Sequence, residues 1–280
     1  MIARSSAVVS SSKPTKEYNG YKIYDETGCQ LCPDQANKVI GYVNAIEDLK
    51  AVPHMDLEEA AKKGLYQSIG SEVLDAFLKE VRKQSLYEEP SNIKIVYTPL
   101  HGTGNIPVRT ILSRAGFKNV SVVKEQEMPD GKFPTCPYPN PEIRQVFECG
   151  LKMTETEKAD LMLATDPDCD RVGIAVLTNG EYVLLSGNDV GVLLANYILS
   201  ARQAKGLPTE GMFMTKSFVS TPLFNKVAAK YGCTVVDVLT GFKYVGEFIA
   251  NLEKKGEEDR FLMGFEDTLT NRGRARRRGS

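Results

Sequence analysis

The chain has 280 residues, 42% of them hydrophobic and 25% charged, and a formal net charge of −1. That is enough apolar sequence for two domains, or one large and one partial, and too little charge bias to favour nucleic acid or an anionic membrane as partner. No apolar run approaches the ~20 residues that a membrane span needs, and Met1 to Pro14 lacks the long apolar stretch of a secretory signal. Six Cys are scattered at 29, 32, 136, 149, 169 and 233, which points to reduced thiols and a cytoplasmic setting. The lone C-x-x-C at Cys29 and Cys32 specifies by itself neither zinc nor a redox pair.

Residues 1–15 read as Ser-rich and aperiodic. Asn19-Gly20 predicts a tight turn into a strand over Tyr21 to Tyr24. Pro33-Asp34 opens a helix with Ala36, Val39, Ile40, Val43 and Ile46 at helical spacing. A polar passage without period covers about 48–68. A second helix is predicted over Ser71 to Lys83, with Val73, Leu74, Phe77, Leu78 and Val81 on one face. Glu88 to Ser91 breaks the pattern, and the first domain boundary is placed after residue 88.

A strand over Ile93 to Tyr97 leads into Thr98-Pro99-Leu100-His101-Gly102-Thr103-Gly104, a helix carrying Val108, Ile111 and Leu112, and a strand over Val120 to Val123. This β-loop-α-β order is the repeating unit of an α/β sheet. The Gly-rich turn exposes backbone N–H groups at a helix start, which suits an anion, although such turns also arise for geometry alone. His101 reads equally as a loop hydrogen-bonding residue or as a functional one. Prolines at 134, 137, 139 and 141 predict an extended loop, followed by a helix over about 142–158.

Two short apolar runs, Ala159 to Ala164 and Val172 to Val176, then flank Asp166-Pro167-Asp168-Cys169-Asp170-Arg171. They read as strands joined by a tight polar loop. In a near-extended backbone the three Asp at alternate positions would share one face, where their oxygens suit a hard divalent cation, Mg²⁺ or Ca²⁺. Uncompensated, they would repel one another. An EF-hand is excluded, because Arg171 stands where Gly is required, Leu177 where Glu is required, and the flanks read as strands. A solvated acidic turn is the plainer alternative. Arg171 beside a metal favours a phosphate-handling site, where both neutralise anionic oxygens.

Beyond the loop come a hairpin turn at Gly180-Glu181, a strand over Tyr182 to Leu185, an N-cap signal at Ser186 to Asp189 and an apolar helix from Val190 to Leu199. A polar break follows over Ala204 to Gly211, where the second boundary falls after residue 204. The third unit holds a strand over Met212 to Thr215, a helix near 221–231 and a strand over Thr234 to Val238. Thr240-Gly241-Phe242-Lys243 opens a further helix, and a last strand runs from Arg260 to Gly264. Residues 269–280 are Arg-rich, without apolar period, and cannot build a packed element.

Six of these segments, in this order, resemble the α-D-phosphohexomutase family of phosphoglucomutases and phosphomannomutases. They are Tyr18-Asn19-Gly20-Tyr21-Lys22, the Thr98 to Gly104 turn, Phe133-Pro134-Thr135 with Pro139-Asn140-Pro141-Glu142, the Asp166 to Arg171 loop, Thr240-Gly241-Phe242-Lys243, and Gly264-Phe265-Glu266-Asp267-Thr268. The resemblance implies tandem α/β/α domains with mixed sheets flanked by helices. It implies a partial domain I over 1–88, a metal-binding domain II over 89–204, a sugar-recognition domain III over 205–268, and a tail over 269–280 outside the family pattern.

The activity implied is an isomerase interconverting hexose 1-phosphate and hexose 6-phosphate through a phosphoserine, with Mg²⁺ and glucose 1,6-bisphosphate as intermediate. By motif, Asp166, Asp168 and Asp170 hold the metal and Arg171 lies against the phosphoserine phosphate. Gly241, Gly264, Glu266, Asp267 and Thr268 fall in the substrate loops, with Asp267 where a second Glu is usual. Lys243 and His101 match positions near the substrate that assist proton transfer or phosphate binding.

The family nucleophile lies in T-A-S-H-N-P, whereas this chain has Val9-Ser10-Ser11-Ser12-Lys13-Pro14-Thr15. Alignment on Pro14 places Ser11 at the nucleophile, and alignment on Lys16 places Ser12 there; either way the accompanying His and Asn are missing. The departures at both ends predict a fragment of low activity, lacking the start of domain I and all of domain IV. The alternative expectation is a non-catalytic α/β module that binds Mg²⁺ or sugar phosphate.

Overall fold

In the computed structural model the backbone is described for residues 5–10, 20–87 and 89–267, and side chains from Lys22 onward. Strand β1 (Ser5–Ser10) pairs antiparallel with β2 (Gly20–Asp25), Val8 opposite Lys22. A strand at Ser5–Ser10 corrects the aperiodic reading of residues 1–15. Ala7-Val8-Val9 offers no alternation to detect, but its β-branched residues accept an extended backbone once β2 supplies the ladder.

Helix α1 (Pro33–Asn44) begins with its proline in the first turn, where a missing N–H costs nothing. Within the passage read as aperiodic lies the short α2 (Leu57–Lys62), started by Asp56, whose carboxylate accepts from the N–H groups of Glu58 and Glu59. A cap can nucleate such an element without an apolar period. Helix α3 (Ser71–Lys83) runs as its spacing predicts and buries Leu78. These helices cover little: neither α1 nor α2 has a buried residue, and Ile40, Val43 and Phe77 are exposed.

The central sheet has five strands in the order β4-β3-β5-β6-β7. The elements are β3 (Ser91–Thr98), α4 (Asn105–Arg114), β4 (Phe117–Val122), α5 (Glu148–Glu157), β5 (Leu161–Thr165), β6 (Val172–Thr178) and β7 (Glu181–Leu185). Strand β3 is parallel to β4 and β5, whereas β5-β6 and β6-β7 are antiparallel. The core gathers Val96, Leu100, Phe133, Phe147, Met162 and Ala164 among others. The helix predicted from 142 starts only at Glu148, after a 3₁₀ turn over Arg144–Phe147 that buries Val146 and Phe147. The β6–β7 turn puts Asn179 and Gly180 at φ 52° and 84°, the left-handed pair that a two-residue hairpin requires.

Ser186 accepts from the N–H of Asp189, whose carboxylate accepts from the N–H of Ser186, and this capping box starts α6 (Gly187–Ala204). After it come β8 (Phe213–Ser217), α7 (Leu223–Lys230), β9 (Thr234–Val238), α8 (Phe242–Glu253) and β10 (Phe261–Phe265). The three strands form a parallel sheet in the order β10-β8-β9. Ala195 and Leu199 of α6 join Met214, Phe224, Ala228 and Phe265 in a second core, where the Phe224 and Phe265 rings stack at 5.5 Å. Among the described residues no helix is long and apolar enough to cross a membrane. The loops after β3, β5, β8, β9 and β10 are the chemically interesting ones, since open α/β sheets bind ligands at the carboxyl ends of their strands.

Candidate metal and phosphate site

Thr165 and Val172 are a ladder pair, so Asp166 to Arg171 is the loop of the β5–β6 hairpin. The loop is wound around Asp166. Its carbonyl accepts from the N–H of Cys169 at 3.0 Å, and its Oδ1 accepts from the N–H groups of Asp170 and Arg171 at 3.1 and 3.0 Å. Cys169 turns the chain with φ 61°. One oxygen from each of Asp166, Asp168 and Asp170 falls within 4.8 Å of the others. The three carboxylates therefore meet, but through this turn and not through the alternation of an extended strand. The Asp166 carboxylate satisfies two backbone N–H groups that an extended loop would leave unpaired.

Asp166 is buried, and its carboxyl pKa is pushed up to about 8 by that burial, by the hydrogen bond with Asp168 and by the charge of Asp170. A concentration of negative charge at a partly dry strand end is relieved by protonation or by a cation. Two side chains supply it. Lys22 Nζ stands 3.0 Å from Asp168 Oδ2 and 2.8 Å from Asp170 Oδ2, and Arg171 Nε stands 3.9 Å from Asp166 Oδ2. Burial alone would lower the Lys22 pKa, but the hydrogen bonds and charges of Asp170 and Asp168 outweigh it and hold the ammonium well above its usual range. Three carboxylates with hard oxygen donors in this compass fit Mg²⁺ or Ca²⁺. Lys22 is the residue that sequence reasoning passed over. It stands in the Tyr18 to Lys22 motif, but no spacing links it to carboxylates 146 and 148 residues onward.

The Thr98 to Gly104 turn packs against the Asp loop. Thr103 gives both its N–H and its hydroxyl to the carbonyl of Pro167, at 2.9 and 3.0 Å. Behind it, Leu100 and His101 are held at φ 46° and 61°. The His101 Nδ1 lies 3.0 Å from the Met128 carbonyl and Nε2 3.0 Å from the Thr135 hydroxyl. A carbonyl only accepts, so Nδ1 carries the proton and Nε2 accepts from Thr135. Gln126 closes the ring, accepting from the Thr98 hydroxyl at 2.7 Å and donating to Thr135 at 3.1 Å. His101 thereby fastens this turn to the proline-rich loop.

The remaining predicted residues gather at the end of the second sheet. Gly241, at φ 118°, donates its N–H to Glu266 Oε2 at 2.8 Å, joining the turn before α8 to the segment after β10. Lys243 lies on the first turn of α8 with Nζ 5.1 Å from the Tyr244 ring centre. Gly264 sits inside β10 opposite Thr215, where a Cβ would meet Val245 at 2.7 Å. The Asp267 carboxylate accepts from Asn188, and its N–H reaches Ser220 Oγ at 3.2 Å. Lys216, at the end of β8, is a buried cation that the sequence reading also missed, 3.0 Å from Asp237. Ser11, Ser12 and Thr268 lie outside the described residues. The two Cys of the C-x-x-C occupy an extended stretch, with Gln30 bridged to Tyr24 and the Cys29 thiol directed at the Gly246 carbonyl.

Two consecutive models of one family match the chain. Phosphoglucomutase/phosphomannomutase alpha/beta/alpha domain II covers residues 74–180, and alpha/beta/alpha domain III covers residues 186–270. The chain belongs to the phosphoglucomutase/phosphomannomutase family. Among its relatives is a phosphoglucomutase of Staphylococcus saprophyticus, 32% identical over 262 residues, which are 93% of this chain and 47% of that one. A phosphomannomutase of Mycoplasmoides pirum is 32% identical over 271 residues, 95% of this chain and 47% of its own. A phosphoribomutase of Saccharomyces cerevisiae is 33% identical over 282 residues, 94% of this chain and 45% of its own. The chain thus spans about half the length of the curated relatives it matches. In fold it is similar to a phosphoglucomutase/phosphomannomutase family protein from Burkholderia thailandensis, with TM-score 0.63 and 18% identity over 90% of this chain and 48% of that one. An Aspergillus fumigatus N-acetylphosphoglucosamine mutase in complex with glucose 1,6-bisphosphate gives TM-score 0.55 and 14% identity, covering 88% of this chain and 57% of that one. The resemblance read from the six motifs is borne out, as is the α/β class with helices flanking mixed sheets.

Proposed function

We propose that this chain carries the Mg²⁺-centred phosphate site of a hexose-phosphate mutase, the isomerase that interconverts hexose 1-phosphate and hexose 6-phosphate through a phosphoserine. The observation that supports it is the meeting of Asp166, Asp168 and Asp170 within 4.8 Å, flanked by the cations Arg171 and Lys22. Mg²⁺ held by the three Asp would neutralise phosphoryl oxygens. Arg171 and Lys22 are the groups of the chain itself that can receive a phosphoryl oxygen beside that site, by charge-assisted hydrogen bonds. Ser11 or Ser12 would donate the phosphoryl group to a free sugar hydroxyl, and the resulting glucose 1,6-bisphosphate would return its other phosphate to the serine. Gly241, Gly264, Glu266, Asp267 and Thr268 would line the sugar side, with Lys243 and His101 serving phosphate binding or proton transfer. The division into units 1–88, 89–204 and 205–268, and a cytoplasmic setting, belong to the same proposal.

A second reading is a non-catalytic module that binds Mg²⁺ or sugar phosphate. The observation favouring it is Ser10-Ser11-Ser12-Lys13-Pro14, which lacks the His and Asn that accompany the serine in the family pattern. One assay separates the two: coupled detection of glucose 6-phosphate from glucose 1-phosphate, with Mg²⁺ and a trace of glucose 1,6-bisphosphate, beside an Asp168→Ala control. Turnover that vanishes in the control supports the mutase reading. Calorimetric binding of Mg²⁺ and glucose 1,6-bisphosphate to a folded chain without turnover supports the module, and absence of both binding and turnover sinks both.

A further inference from the structure

The Asp loop does not stand alone on its hairpin; it is pressed into a mould made by the turn after β3. The Pro167 carbonyl, between two of the three carboxylates, accepts twice from Thr103, at 2.9 Å from its N–H and 3.0 Å from its hydroxyl. Gly102 lies so close that an added Cβ would come within 2.3 Å of Pro167 Cα and 2.6 Å of its oxygen, both rigid backbone atoms. At Gly104 a Cβ would fall 2.5 Å from Tyr97 Oη, 2.7 Å from Thr165 Oγ1 and 2.9 Å from Cys169 Sγ. The Tyr97 and Thr165 hydroxyls are themselves bonded at 2.8 Å, just where β5 gives way to Asp166. Thus the two glycines let the turns approach without a Cβ between them, and Thr103 supplies directed bonds across the contact.

We propose that Thr103 is a positioning residue for the metal site: its paired hydrogen bonds to Pro167 set the spacing of Asp166 and Asp168 and so their affinity for a divalent cation. A carbonyl held by two hydrogen bonds cannot rotate with its peptide plane, and that plane joins Pro167 to Asp168, so it fixes how the Asp168 backbone leaves the residue that follows Asp166. Thr103 itself is exposed, so its role is in these bonds and not in packing. The inference rests on the Asp loop being a metal site.

The test is Mn²⁺ titration followed by electron paramagnetic resonance on the full chain and on Thr103→Val and Thr103→Ser, with Asp168→Asn as the control for the site. Thr103→Val keeps the shape and the backbone bond but loses the hydroxyl bond. It should weaken Mn²⁺ about tenfold, while Thr103→Ser restores it. A parent chain that is folded yet binds no Mn²⁺ overturns the metal reading itself. A parent that binds, with Thr103→Val binding equally well, overturns the clamp and leaves the metal site standing. Should Thr103→Val not fold, hydrogen exchange on the unmodified chain decides instead. Coupling is reciprocal, so saturating Mg²⁺ should slow exchange of the Thr103 amide and leave amides of β9 unchanged. An unaltered Thr103 amide, with Mg²⁺ demonstrably bound, overturns the proposal.

Discussion

Lys22 on β2 reaches Asp170 at 2.8 Å across 148 residues of chain, and Asp168 at 3.0 Å. An ammonium placed there stabilises the same oxygens that a divalent cation would take. Lys22→Met should therefore raise Mn²⁺ affinity several-fold, because two carboxylate oxygens lose a competing charge. Titration at fixed ionic strength reads this directly. Weaker binding in the variant would mean that Lys22 assists the metal and does not compete with it.

Asp166 receives two backbone N–H bonds on one oxygen, a task that an amide oxygen performs as well. Asp166→Asn should keep the loop and hold unfolding free energy within about 1 kcal/mol of the parent. Divalent-ion affinity should nonetheless fall by roughly two orders of magnitude as one of three charged ligands is lost. Urea unfolding and Mn²⁺ titration together separate the two effects.

Gly102 has Pro167 backbone atoms where a side chain would go. Gly102→Ala should lower stability by about 2 kcal/mol through the displacement it forces. The denaturation midpoint should move while the slope of the transition stays the same. An unchanged midpoint would show that the two turns part easily.

Cys136 and Cys233 are buried thiols, each pushed up to about 11 by that burial, which the Thr135 hydrogen bond offsets in part for Cys136 and the Arg202 charge for Cys233. The folded chain keeps both protonated where the unfolded chain ionises them from about pH 9. Their contribution to stability is thus complete below pH 9 and is lost as pH rises toward 11, on the order of 1 kcal/mol per pH unit for each thiol. Urea midpoints at pH 8.5, 9.5 and 10.5 should fall in that order, and less steeply in Cys136→Ala.

Periodicity revealed most of the elements, including α3 with both its ends, because apolar residues recurring at helical spacing mark a helix, although Leu78 is the one residue of that face that α3 buries. It missed β1 and α2 for opposite reasons: one depends on a partner strand and the other on a single capping carboxylate. At the candidate site, the Asp loop and Arg171 were legible because the three carboxylates and the cation are neighbours in sequence. Lys22 and Thr103 were not, since one acts on the loop from strand β2 and the other from the turn after β3, both distant in sequence. His101 was legible as a residue of interest, but only the structure shows both ring nitrogens committed to Met128 and Thr135.

Helix α6 leaves β7 with Ser186 as the only intervening residue and places Ala195 and Leu199 in the core of the second sheet. A rod that stiff cannot absorb bending along its length, so any swing of one sheet against the other must pivot at its ends. One such end is the capped serine Ser186, and the segment from Lys22, bonded to the Asp loop, to Cys29, against the Gly246 carbonyl of α8, is a second tie across the two sheets. A flexible insertion at Ser186 would leave the Asp loop and the Gly241–Glu266 hydrogen bond each intact while loosening one of these ties between the sheets.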